Sequence, residues 1–153
     1  MARSKVCQDT LVSHSDEKIR VILVDEREAM REGLRHMLSE DESITVVGEA
    51  RDGKSALARA RVLCPDIILM DVGVRGTSGI GAACSLREAR LPTSFIILAD
   101  NRKYLAPAIE AGAVGFLPRN ISRDHLIGAI RIIHMWRLSL FDNSRSHFAL
   151  VKL

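Results

Sequence analysis

Aromatic residues are scarce in this chain of 153 residues: one tryptophan, one tyrosine and four phenylalanines, 4% in all. Few rings are therefore available to stack a flavin. Cysteine is scarcer still. Cys7, Cys64 and Cys84 form an odd set without metal-type spacing, and they read as reduced thiols of a cytoplasmic protein. No run approaches the ~20 apolar residues that span a bilayer. Arg3 and Lys5 are not followed by the apolar stretch of a secretory leader. Charge of one sign is also lacking: 22 Lys and Arg against 19 Asp and Glu leave +3. That excess is too small to imply nucleic-acid binding by itself. Internal repeats and low-complexity tracts are not evident.

What is present suits one domain with a real core. Hydrophobic residues make up 47% and charged residues 27%, as in ordinary globular chains. Residues 1–18 are polar and unpatterned, and read as a flexible extension. From there the pattern alternates strand and helix five times. Strands are expected at about 19–25, 44–49, 66–70, 94–98 and 113–117. Helices are expected at about 28–39, 54–63, 80–89, 102–111 and 123–136. Pro65 ends the second helix, because the residue before a proline disfavours the helical region. Ser122 opens the fifth, with Asp124 favourably placed in its first turn. Pro107 lies inside the fourth, which is expected to be short, kinked, mobile or late in starting. Alternation of this kind predicts a parallel sheet covered on both faces.

Two of the apolar runs end in acid. Ile19 to Val24 stops at Asp25-Glu26, and Ile67-Ile68-Leu69-Met70 stops at Asp71. In an open α/β sheet, ligands bind outside the carboxyl ends of the strands, where strand order reverses. If both runs are neighbouring central strands, three carboxylates meet there. Their mutual repulsion favours a divalent cation, and hard oxygen ligands favour Mg²⁺.

Several pieces, in order, carry a resemblance. They are Val24-Asp25-Glu26, Arg31-Glu32-Gly33-Leu34, and Val46-Val47-Gly48-Glu49-Ala50 with Asp52-Gly53. Pro65-Asp66 through Asp71 and Ala111-Gly112-Ala113-Val114-Gly115-Phe116-Leu117 follow. Over residues 19–136 the chain resembles the receiver domain of two-component response regulators, in the NarL/FixJ (LuxR-type) branch. The resemblance implies a flavodoxin-like (CheY-like) three-layer α/β sandwich with five parallel strands in the order 2-1-3-4-5. It implies that Asp71 is the aspartate phosphorylated by a sensor histidine kinase or phosphotransfer protein. It further implies that Asp25 and Glu26 bind Mg²⁺ together with Asp71 and the backbone carbonyl of Gly73. Phe116 matches the aromatic that changes rotamer on activation.

The chain departs from the family at several positions. Glu26 stands where the branch usually has Asp. Ala99 stands where the family has the Thr or Ser whose hydroxyl bonds the phosphoryl oxygen, and Asp100 beside it adds negative charge. Arg119 replaces Lys, keeping the charge but bringing a planar fork. It is expected either to clamp phosphate or to hold Asp71 in a resting ion pair. Gly73-Val74-Arg75-Gly76 replaces Met-Pro-Gly, and Arg75 reads as a solvated loop charge.

Residues 137–153 read as a tail or the remnant of a linker helix. No helix-turn-helix pattern follows, so direct DNA binding is not expected. Membrane association is not expected either. The expected role is a phosphorylation-responsive module that presents its fourth helix, fifth strand and fifth helix to a downstream partner. Its catalysis is expected to be limited to self-phosphorylation and slow self-dephosphorylation. The alternative is a degenerate receiver acting by phosphorylation-independent contact or dimerisation. Ile127, Ile130, Ile133 and Trp136 suit either a dimer face or plain core packing. A flavodoxin-like enzyme or nucleotide binder is disfavoured. The first strand–helix turn, Asp25-Glu26-Arg27-Glu28, lacks glycine and repels phosphate without a metal.

Overall fold

The structure is a computed structural model and describes residues 17–74, 79–142 and 151–152. Strands β1 (Ile19–Val24), β2 (Ile44–Ala50), β3 (Ile67–Asp71), β4 (Ser94–Leu98) and β5 (Gly115–Leu117) are parallel and lie in the order 2-1-3-4-5. This is the expected flavodoxin-like arrangement. Helices α1 (Glu28–Ser39) and α5 (Arg123–Asp142) cover one face of the sheet. Helices α2 (Gly53–Leu63), α3 (Gly79–Glu88) and α4 (Leu105–Glu110) cover the other. With both faces covered, the central strands can be apolar throughout: Val21, Leu23, Ile67 to Met70, Ile96 and Ile97 are all fully buried.

Local chemistry accounts for the boundaries. The Asp52 carboxylate caps α2, accepting from the Ser55 N–H at 2.7 Å. Cys64 ends that helix with φ 47°, just before Pro65. Pro107 falls in the first turn of α4, where its missing N–H has no helical partner to lose. A 3₁₀ turn, Arg102–Tyr104, takes up the first part of the expected helix, so α4 itself has six residues.

Three further features differ from expectation. Helix α5 runs on to Asp142, six residues past the expected end. Val151–Lys152, within the segment expected to begin a linker helix, forms a two-residue strand β6 that pairs in parallel with Gly115 and Phe116. An exposed strand edge offers unpaired N–H and C=O groups to any extended segment, whatever that segment's helical pattern. Third, Cys64 is disulfide-bonded rather than reduced, whereas Cys84 is free. Ile127, Ile130 and Ile133 are buried in the core, and Trp136 is partly exposed. Core packing thus accounts for three of that apolar set. The segment 1–16 and Arg75 lie outside the described residues.

Among the described residues no helix is long and apolar enough to cross a membrane.

Candidate functional site

Val24 of β1 pairs with Met70 of β3, so Asp25 and Asp71 follow side by side at the strand ends. Sheet order reverses between these two strands, β2 lying beyond one and β4 beyond the other. Of the three carboxylates expected to meet here, Asp25 and Asp71 do; with Glu26 they do not form a cluster of three close enough to hold a metal ion. Both are buried, at 2% and 5% exposure. Two adjacent carboxylates in such a place must be neutralised, because desolvation and mutual repulsion both disfavour their charged forms.

Arginines neutralise them. Asp71 Oδ1 accepts from Arg119 Nε at 2.6 Å, and Oδ2 accepts from Arg119 Nη2 at 3.1 Å. The planar fork matches the carboxylate edge, as only guanidinium can. Of the two roles expected for Arg119, the resting ion pair is the one this structure contains. Asp25 is held in the same way. Its Oδ1 accepts from the Arg27 N–H at 2.8 Å and from Nε at 3.1 Å, and its Oδ2 accepts from Nη2 at 3.1 Å. Arg27 Nη2 also lies 3.5 Å from Asp71 Oδ1, bridging the two acids. Both arginines are held more firmly protonated than usual, Arg27 chiefly by its bond to Asp25 and Arg119 chiefly by its bond to Asp71.

Backbone geometry fixes the rest. The Gly73 N–H donates to Asp71 Oδ2 at 2.8 Å. A Cβ at Gly73 would stand 3.1 Å from that same oxygen. Gly79 opens α3 directly against β3, where a Cβ would lie 2.4 Å from the Asp71 carbonyl oxygen. At the end of β4, Ala99 is buried and its N–H donates to the Leu117 carbonyl at 2.9 Å. Asp100 is not idle: its Oδ1 accepts the Arg119 N–H at 3.0 Å. It steadies the residue that clamps Asp71. Phe116 is buried, 8% exposed, and packs in the core between the sheet and α2, α3 and α4.

Arg27 and Arg31 are site residues that sequence reasoning missed. Arg31 Nη1 donates to the Asp25 carbonyl at 2.6 Å, and its Nε pairs with Glu49 at 3.3 Å. Arg27 stands inside the acidic run Asp25-Glu26-Arg27-Glu28, whose net charge concealed its position. A signal was available. An aspartate at the end of a strand often accepts the N–H two residues on, and that turn folds Arg27 back over the acids.

Comparison with known proteins supplies the family. The profile of the response regulator receiver domain matches residues 21–131. The chain belongs to this family. The receiver is 42% identical over 117 residues to the transcriptional regulatory protein YxjL of Bacillus subtilis, covering 75% of this chain and 54% of that protein. It spans about half the length of such curated relatives. Among solved structures, it superposes on the signal receiver domain of NarL from Mycobacterium tuberculosis with a TM-score of 0.74 at 33% identity, covering 78% of this chain and 98% of that one. A LuxR-family response regulator from Aurantimonas sp. SI85-9A1 gives 0.74 at 30% identity, over 79% and 88%.

Receiver domains bind Mg²⁺ at the phosphorylation site. The oxygens of Asp25 and Asp71 are the hard donors such an ion takes. Here, however, every one of those four oxygens already accepts from a guanidinium. Among the described residues no three carboxylate, imidazole or thiol groups converge closely enough to hold a metal ion. The donor chemistry fits the ion, provided that Arg27 gives way.

Proposed function

We propose that this receiver accepts a phosphoryl group on Asp71 from the phosphohistidine of a sensor kinase or phosphotransfer protein, and signals through contacts with a downstream protein. The observation that carries this is the Asp71 carboxylate itself. It is buried at the strand-order reversal, with a family-position cation, Arg119, on both of its oxygens. In the transfer, an Asp71 oxygen forms a bond to phosphorus as the donor's N–P bond breaks. The imidazole nitrogen keeps the electron pair and takes up a proton. Such a reaction depends mainly on positioning and on neutralising the equatorial oxygens.

Each residue has a part. The Gly73 N–H orients Asp71. Arg119, steadied by Asp100, exchanges its bond to the free carboxylate for bonds to the phosphoryl oxygens. Asp25, Glu26, Asp71 and the Gly73 carbonyl would hold Mg²⁺, which supplies charge neutralisation when bound. The role is that of a signalling domain rather than a metabolic enzyme, with self-dephosphorylation as its own slow reaction.

Beryllofluoride with Mg²⁺ mimics the phosphorylated aspartate and tests the proposal. Calorimetric titration should show saturable binding to the wild-type chain and none to Asp71→Ala. Equal binding by both would remove Asp71 from its role.

Ala99 and the buried Phe116 favour a second reading, in which phosphate is accepted but little shape change follows. In that case Asp71→Ala would leave partner or self-association unchanged.

A further inference from the structure

We propose that Arg27 is a built-in cation of the acidic site, seated where a divalent ion binds, so that Mg²⁺ must displace this guanidinium before it can enter. This deepens the function proposed above and rests on its assignment of the acids as a cation site.

The seat is made by the backbone. Arg27 is the N-cap of α1, in extended conformation at φ −86° and ψ 116°. Its N–H bonds back to Asp25 Oδ1 at 2.8 Å. That turn sends the side chain over the strand ends rather than along the helix. The guanidinium then spans Asp25 edge-on, with Nε on one oxygen and Nη2 on the other, both at 3.1 Å. The same Nη2 reaches to 3.5 Å from Asp71 Oδ1. A single positive group thus lies between the two buried carboxylates, the place that their repulsion reserves for a cation.

Arg27 is a removable cation. Its side chain is 50% exposed, whereas that of Asp25 is 3% exposed. It makes no side-chain capping bond to α1, so its departure costs the helix nothing at that end. A divalent ion carries twice the charge and approaches oxygen to about 2.1 Å, so it wins the seat at sufficient concentration. Bidentate charge-assisted bonds must first be broken, however, and breaking them weakens apparent Mg²⁺ affinity by about tenfold or more. Arg119 does not fill this role, because it binds Asp71 alone among the two aspartates.

Calorimetric titration of MgCl₂ into the full chain provides the test, with thermal melts confirming that each variant is folded. Arg27→Gln should bind Mg²⁺ at least about tenfold more tightly than wild type. Arg27→Lys keeps the charge but cannot span both Asp25 oxygens, and it should recover much of that gain. In wild type, the Arg27 Nε–H NMR resonance should move on Mg²⁺ addition to that of a solvent-exposed arginine.

Three results would overturn the proposal. If all three proteins bind Mg²⁺ within twofold of one another, Arg27 does not compete for the site. If Arg27→Gln gains and Arg27→Lys does not, diffuse charge and not the seat is responsible. Absence of Mg²⁺ binding in every variant would overturn the assignment of the acids as a cation site, and this inference with it. Beryllofluoride-free binding thus separates failure of the inference from failure of the phosphoacceptor reading.

Discussion

Ala99 is 2% exposed at the end of β4, with its N–H committed to the Leu117 carbonyl. Its methyl group brings no polar atom to the site. A hydroxyl there would bond a phosphoryl oxygen, and such a bond to a charged group contributes about 1.5–3 kcal/mol. Ala99→Ser should therefore bind beryllofluoride at least about tenfold more tightly in calorimetry. An unchanged affinity would show that the Arg119 guanidinium has taken over that bond. The acids at 25 and 71 were legible as strand-end residues, because a β-branched run stopped by an acid has a plain physical meaning. The contact that Asp100 makes was not legible in that way. Its partner Arg119 lies 19 residues away in sequence, and only the pairing of β4 with β5 makes them neighbours.

At the scale of elements, α5 combines a buried apolar stripe with one half-buried imidazole. His134 is half-buried, and its Nδ1 has no hydrogen-bond partner. Burial holds its pKa below the ordinary value near 6.5, with Arg137 adding to the shift and Asp66 opposing it. The unfolded chain therefore binds a proton more readily than the folded one. Stability from this group is complete above about pH 6.5 and falls away as pH drops from there toward the folded-state pKa. Urea unfolding of wild type between pH 7.5 and 5 should show that loss, and His134→Gln should flatten it. An identical pH slope in the variant would assign the loss to other groups. The existence and order of the helices were readable from period and caps. The short α4 was readable too, because Pro107 admits few positions in a helix. The length of α5 was not, since the backbone stays helical to Asp142 with no proline or glycine in its last turns to mark an end.

Across the whole molecule, each end of the sheet carries its own group of paired charges. The carboxyl end holds the acids and arginines of the site. The amino end holds a structural clasp. Arg137 of α5 donates from Nη1 to Asp66 Oδ1 at 2.5 Å and from Nη2 to the Pro92 carbonyl. Asp66 also accepts the Arg20 N–H at 2.9 Å, tying in β1. The side chains are 8% and 22% exposed, so removing one partner strands a largely buried charge. Arg137→Ala should cost about 3 kcal/mol in urea unfolding while leaving beryllofluoride affinity unchanged. A parallel loss of both would mean that the two ends of the sheet are coupled.

The sequence by itself determined the alternation of strand and helix, the layers and the acids, because each follows from local pattern, whereas the strand order followed from the family resemblance. Apolar runs must be buried, glycine and proline must punctuate, and a carboxylate at a strand end must point into the crevice. Tertiary structure alone decided how those acids are neutralised. Arg27 was legible only through the turn that an aspartate at a strand end favours, and Arg119 only as a lysine substitute with two roles open to it. Which oxygen each arginine grips depends on a turn, on a strand pairing and on the side chains around them. The Arg119 fork on Asp71 joins residues 48 apart in sequence, and no spacing along the chain encodes it.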